Sequence, residues 1–367
     1  MYSTAQFRVF SASPSERRLI RARQLARDGR REEAEDAYRA VLTEDPGSRR
    51  AWGEYFEWLR SERRIDDALL VAERAAAQFP GEALPLALIG AAQVELGRYR
   101  EGLDALERAT AADPDLGLVW HEMGYAAWRL GESSRALLAV DRAFALDPHG
   151  ATLLLRGKIL RDAGRYLAAE VAFTGACEAA EFSEQRREAE RQIAITRRYA
   201  AFPNARPATL PRHRRWFAET GGAVLTAPGG DTVPADADLL RAFADLAREE
   251  GWRFTAIHAT DGWPGWQALA RALSLSLLPL TEAGEEIPLL VARTPESGGL
   301  RWEMALARLA EGAPGLSFAL SADATAAVPD VVGRLDPPEP AHVDLAGAQE
   351  AVRHPSSRLA DRRGDGR

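Results

Sequence analysis

Four prolines, Pro46, Pro80, Pro114 and Pro148, stand 34 residues apart. A fixed period of that length means that one supersecondary unit is repeated along the chain, and so short a unit cannot bury its apolar face alone. Asp45, Phe79, Asp113 and Asp147 precede the prolines. Proline lacks the helical N–H and disfavours helix at the residue before it, so these dipeptides mark helix ends.

Other positions recur in the same frame. Small residues stand at Ala34, Ala68, Gly102 and Ala136, and small or β-branched ones at Val41, Ala75, Ala109 and Ala143. Trp52, Leu86 and Trp120 open a further series, with Gly90 and Gly124 four residues beyond the last two of them. Gly29, Gly97 and Gly131 mark turns inside the units. A fifth unit follows after a one-residue slip, with Gly157, Gly164, Tyr166, Ala169, Phe173 and Ala176 in phase and Glu181 in place of proline. Ser183 to Tyr199 read as a polar closing helix, as an end helix must face water.

This set resembles the tetratricopeptide repeat family, and Trp120 to Pro148 carry nearly its whole pattern. The resemblance implies five helical hairpins curved into a superhelix, with a binding groove lined by the first helix of each hairpin. Projecting the family's groove places gives Arg23 and Arg27 in the first repeat and Glu57 and Arg60 in the second. The third offers Leu84, Ala87, Ala91 and Val94. The fourth gives His121, Tyr125, Trp128 and Arg129, and the fifth Lys158 and Arg161. Arginine forks suit carboxylates and aromatic rings supply anchoring area, so the groove suits a protein or peptide partner. The family's clamp for a C-terminal carboxylate needs groove asparagines. Asn204, the one asparagine, lies outside the repeats.

After Trp216 the pattern changes to apolar strands alternating with helices. Strands are expected at 222–228, 253–260, 287–293 and 316–322, and helices at 237–251, 266–277 and 300–312. That alternation argues for a small α/β domain with a mostly parallel sheet covered on both faces. The expected organisation is an arm at 1–14, a helical solenoid at 15–200 and a Pro/Arg-rich linker at 201–212. The α/β domain follows at 213–335, and a mobile tail at 336–367.

Two resemblances attach to this second domain. The strand ending at Gly229 and Gly230, with Thr232 beyond, resembles a P-loop domain, but the family's phosphate-binding lysine is missing, because Lys158 is the chain's one lysine. The 266–312 region resembles the latter half of a type I phosphoribosyltransferase. Ser297, Gly298 and Gly299 stand at its phosphate turn, but the family's adjacent acidic pair is absent. His258 and Asp261 form a lone pair near a strand end, for which a structural role is expected. Cys177 is the one cysteine, so no disulfide closes within the chain, and no metal site or cofactor is expected.

The net charge of −7 gives no argument for nucleic acid, although 192–217 holds six arginines and no acid. No apolar run is long enough to span a membrane. Residues 1–13 lack the basic and apolar segments of a signal peptide, so the cytoplasm is the default location. Scarce Lys and Asn beside abundant Arg and Ala fit a GC-rich bacterial genome. The sum is a scaffold or adaptor that binds a partner segment in its groove, with an α/β domain lacking catalytic residues. An enzyme or sensor binding a nucleotide, a phosphoribosyl group or another small phosphorylated ligand there is the alternative.

Overall fold

A computed structural model describes residues 14–279, 287–311, 313–323, 328–355 and 357–359. The expected arm at 1–14 therefore lies outside the description, apart from Pro14. The chain divides into two compact units, residues 1–159 and 160–367.

Helical hairpins fill the first unit: α1 (Pro14–Arg27) with α2 (Arg31–Glu44), α3 (Arg49–Ser61) with α4 (Ile65–Gln78), and α5 (Ala83–Glu95) with α6 (Tyr99–Ala112). Next come α7 (Gly117–Arg129) with α8 (Ser133–Leu146), and then α9 (Gly150–Asp162), which runs into the second unit. The fifth hairpin is completed by α10 (Tyr166–Glu178), and α11 (Ser183–Ala200) closes the array. Residues 14–200 are thus a tetratricopeptide-type solenoid.

The period has visible physical causes. Ala34, Ala68, Ala109 and Ala136 are fully buried, where a larger side chain would push helices apart. Gly29, Gly97, Gly131 and Gly164 turn each hairpin at φ of 73 to 77°, a left-handed conformation that glycine adopts without strain. In the second hairpin Arg63 takes that place at φ 61°. The tryptophan and proline series are coupled: Trp52 Nε1 donates to Pro46 O at 2.9 Å and Trp120 Nε1 to Pro114 O at 2.8 Å. Each ring therefore locks the turn that brings in its own repeat.

In the second unit α12 (Arg212–Thr220) leads into a six-stranded sheet whose neighbours all run parallel, in the order β1-β7-β6-β5-β3-β4. Its strands are β1 (Ala223–Val224), β3 (Ala256–Ala259), β4 (Ser276–Pro279), β5 (Pro288–Ala292), β6 (Leu316–Ala322) and β7 (Val331–Leu335). β2 (Thr226–Pro228) and β8 (Ala341–Val343) form a separate antiparallel pair. On one face α13 (Asp236–Glu249), α14 (Trp266–Leu273) and α16 (Leu345–Arg353) enclose Phe243, Trp266 and Phe318. On the other, α15 (Pro295–Ala310) buries Trp302 and Leu309 against Leu290 and Ala319.

The sequence reading needs four adjustments here. The strand expected at 222–228 is two strands, split at Leu225 between different sheets. The helix expected to reach Leu277 stops at Leu273, because Ser274 turns left-handed at φ 57° and β4 follows. In the linker Leu210 is buried and Ala205 O accepts from Tyr166 Oη at 2.6 Å, so the segment is tied down within its unit. The expected tail instead supplies β8, α16 and three core residues, Ala348, Val352 and Leu359, whose burial its polar composition hid. Residues 360–367 lie outside the description.

Candidate interaction surface

The first helices α3, α5 and α7 bring together charges that lie far apart in sequence. Arg60 donates through Nε to Glu95 at 2.8 Å and through NH1 to Glu57 at 3.0 Å, with its guanidinium 5.6 Å from the centre of the Phe56 ring. Glu122 on α7 is half-buried and belongs to the same electrostatic group. Burial raises its pKa above the usual carboxylate range, and Glu95 and Glu57 push it further up against the pull of Arg60. Glu122 makes no hydrogen bond or ion pair among the described residues. The cluster holds three carboxylates against one guanidinium.

Next to it on α7 lies an aromatic group. The rings of Tyr125 and Trp128 meet edge to face at 5.8 Å, and those of Tyr99 and Tyr125 at 6.4 Å. Arg129 donates to Tyr125 Oη at 2.8 Å and lies 4.6 Å from the centre of the Tyr99 ring. Tyr125 and Trp128 pack against the core yet remain half-exposed. Leu118, two turns before Tyr125, is 72% exposed and Leu84 on α5 is 39% exposed. His121 Nδ1 lies 3.1 Å from Thr152 Oγ1, and its pKa is lowered by burial and by His149.

The remaining projected groove residues behave differently. Arg23 is held as a two-pronged fork on Glu54, at 2.6 and 2.7 Å. Arg27 is exposed, and Lys158 is half-buried with no ion pair among the described residues. Arg161, in the second unit, donates to Gln192 and stands 5.9 Å from the rings of Phe173 and Tyr199, which makes it a packing residue there. Sequence reasoning passed over Glu95, Glu122 and Tyr99. Glu95 occupies the place in its helix that Arg129 holds one period later, so the repeat frame could have found it. Tyr99 begins a second helix, which the projected groove places do not include.

In the α/β unit the two phosphate candidates are internally committed. Gly230 lies against β8, where an added Cβ would come within 2.1 Å of Ala341 O, and Thr232 O accepts from Ala341 N at 3.1 Å. At the start of α15, Ser297 N donates to Thr294 Oγ1 at 3.1 Å. Asp261 takes Arg293 N and Ser297 Oγ at 2.7 Å each, Trp266 Nε1 at 2.6 Å and Trp263 N at 3.3 Å. A carboxylate of the chain thus occupies the helix start where a phosphate would sit, and the N-terminal end of the helix dipole favours it there. Gly298 serves packing, since a Cβ would stand 2.6 Å from Trp302 Cβ and 2.7 Å from Thr260 Oγ1. Gly299 is a kink at φ 55° over open space, as Gly229 is at φ 112°. His258 is buried on β3. Among the described residues no group of His, Cys, Asp and Glu is placed to hold a metal, and no helix is long and apolar enough to cross a membrane.

A small pocket of about 50 Å³ in the same unit is lined by Phe202, Phe217, His213, His354 and Asp344, among others. Burial lowers the pKa of both histidines; Arg214 lowers that of His213 further, against Asp344, and Arg198 that of His354. A histidine kept neutral by the fold binds its proton more readily when unfolded. Stability is therefore complete above about pH 6.5, the unfolded value, and falls as pH drops toward the folded values. Urea midpoints measured from neutral pH down to about 5.5 should decline, and His213→Phe with His354→Phe should flatten the decline. An unchanged slope in the double variant would assign the loss to other groups.

No protein-family model matches the sequence, and no curated protein matches it. Solved structures similar to the helical half include TTC0263, a thermophilic TPR protein of Thermus thermophilus, at 19% identity over 49% of this chain and 98% of that one, with a TM-score of 0.43. MamA of Desulfovibrio magneticus shares 18% identity over 46% of this chain and 96% of that one, with a TM-score of 0.40. YrrB, a TPR protein with an unusual peptide-binding site, shares 17% over 47% and 90%, with a TM-score of 0.37. The period, the paired helices and the glycine turns themselves make residues 14–200 of this chain a tetratricopeptide-type solenoid.

Proposed function

We propose that the protein is a scaffold or adaptor whose α3–α5–α7 face captures an extended segment of a partner protein. The observation that carries this reading is Glu122, a half-buried carboxylate with no hydrogen bond or ion pair among the described residues. Partial burial without a partner costs free energy, and an incoming cation offsets that cost. A Lys or Arg of the partner would meet Glu57, Glu95 and Glu122. A neighbouring apolar side chain would lie against Leu118, Tyr125 and Trp128. Rings of this kind are common anchors because they bury area at low entropic cost.

The α/β unit is read as a non-catalytic module. The missing lysine and acidic pair support this, as does the Asp261 carboxylate seated at the start of α15. The arginine-rich, lysine-poor composition supports a bacterial origin, and the cytoplasm remains the location we propose. Random-peptide display against the full chain tests the groove. The enriched peptides should pair Lys or Arg with a large apolar residue. Glu122→Gln and Trp128→Ala should each weaken them by about tenfold or more with unchanged far-ultraviolet circular dichroism. Peptides that bind both variants as tightly as the parent would reject this face.

A further inference from the structure

Between α2, α3 and α4 the first unit opens a cleft of about 400 Å³. Its cause lies in the sequence of the second hairpin. Phe56, fully buried, occupies the place that Gly90 and Gly124 hold in the next two repeats, so α3 and α4 cannot close as their counterparts do. The rings of Tyr38, Tyr55 and Trp58 then wedge the first hairpin away from the second, with centroids 5.4 to 6.0 Å apart. Leu42, Trp52 and Leu70 give the cleft an apolar part, and Leu70 is 46% exposed.

The rim is positively charged. Arg39, Arg64 and Arg74 line it together with Glu35 and Asp67. Both acids are already committed. Glu35 accepts from Arg64 at 2.7 Å, Arg39 at 2.6 Å and Tyr55 at 3.2 Å, which holds its pKa below the usual carboxylate range despite burial. Asp67 pairs with Arg64 at 2.7 Å. Arg74 is exposed and has no ion pair among the described residues.

We infer that this cleft is a second docking surface, and that its occupant is a protein segment carrying an aliphatic or aromatic side chain beside an Asp or Glu. The apolar side chain would lie on Leu42, Trp52 and Leu70. The carboxylate would pair with Arg74 and with the outward edge of Arg39. The charge preference is opposite to that of the α3–α5–α7 face, so the two surfaces select different segments. A scaffold with two such sites on one unit would hold two partners together, or one partner at two points.

The test uses the full chain carrying Glu122→Gln and Trp128→Ala, which disables the first surface and keeps the two readings separable. Random-peptide display on this variant should enrich sequences pairing Asp or Glu with Leu, Ile or Phe. Fluorescence polarisation of these peptides should show about tenfold or greater weakening by Leu70→Asp and by Arg74→Glu, both exposed positions whose change leaves the fold intact. Replacing the peptide's acid by Lys should restore binding to Arg74→Glu. Failure to enrich acidic-apolar peptides, or equal binding to both cleft variants, overturns the inference and leaves the first surface untouched.

Discussion

Gly90→Val is expected to remove about 3 kcal/mol of stability and to break the helical array at its third hairpin. A Cβ at Gly90 would lie 2.5 and 2.6 Å from the branched end of Leu106, which is fully buried, and 3.2 Å from Gly102 O. Gly102 faces it with the same intolerance: its own Cβ would meet Val94 Cγ2 at 2.8 Å and Gly90 O at 3.1 Å. The two helices therefore touch backbone to backbone, and neither can yield without parting. A better helix former would gain only about 0.5–1 kcal/mol over glycine, too little to offset the clash. Urea unfolding followed by far-ultraviolet circular dichroism should show a lower midpoint and two resolved phases, because each repeat is stabilised only by its neighbours. Gly97→Ala is the matched control. It meets open space but sits at φ 76°, so it should cost only the left-handed strain, about 1–2 kcal/mol, in one phase. Equal losses in both variants would mean that α5 and α6 do not cross so closely.

The helical half was legible because its core is written at fixed intervals. Ala34, Ala68 and Ala136 are buried for the reason their spacing suggests, and Gly29, Gly97 and Gly131 turn where they must. The pairing of surface charges was not read, although the same period governs it. Arg23 with Glu54, Arg49 with Glu82 and Arg60 with Glu95 lie 31, 33 and 35 residues apart, since one repeat brings each pair onto adjacent first helices. Residues picked as partner contacts, such as Arg23, thus prove to be bonded within the array. The widening at Phe56 was equally present in the repeat frame, as a large residue where glycine stands later. In the α/β unit the missed elements are short or atypical. β1 has two residues, β8 three, and α16 sits in a segment whose prolines and charges mask Ala348 and Val352.

Asp261→Ala should cost the second unit about 3 kcal/mol. The carboxylate receives four hydrogen bonds, including one from the indole of fully buried Trp266 and one from the backbone of Arg293. Removing it strands those donors, and the loss of a buried donor's partner is costlier than the bond was favourable. Burial raises the Asp261 pKa, but the donors from Arg293, Trp266, Ser297 and Trp263 outweigh it and hold the group below the ordinary aspartate range. A depressed pKa gives stability that is complete above about pH 3.9, the unfolded value, and is lost as pH falls through the folded value. The gap between parent and variant should therefore be full at neutral pH and close in acid. The same substitution decides between the readings of this unit. With its carboxylate gone, Arg293 N–H and the Ser297 hydroxyl lose their acceptor at the start of α15, and millimolar phosphate should raise the melting temperature of Asp261→Ala but not that of the parent chain. If instead the parent shows a saturable rise with phosphoribosyl diphosphate that Asp261→Ala abolishes, then Asp261 is a member of a ligand site rather than its substitute, and the non-catalytic reading falls.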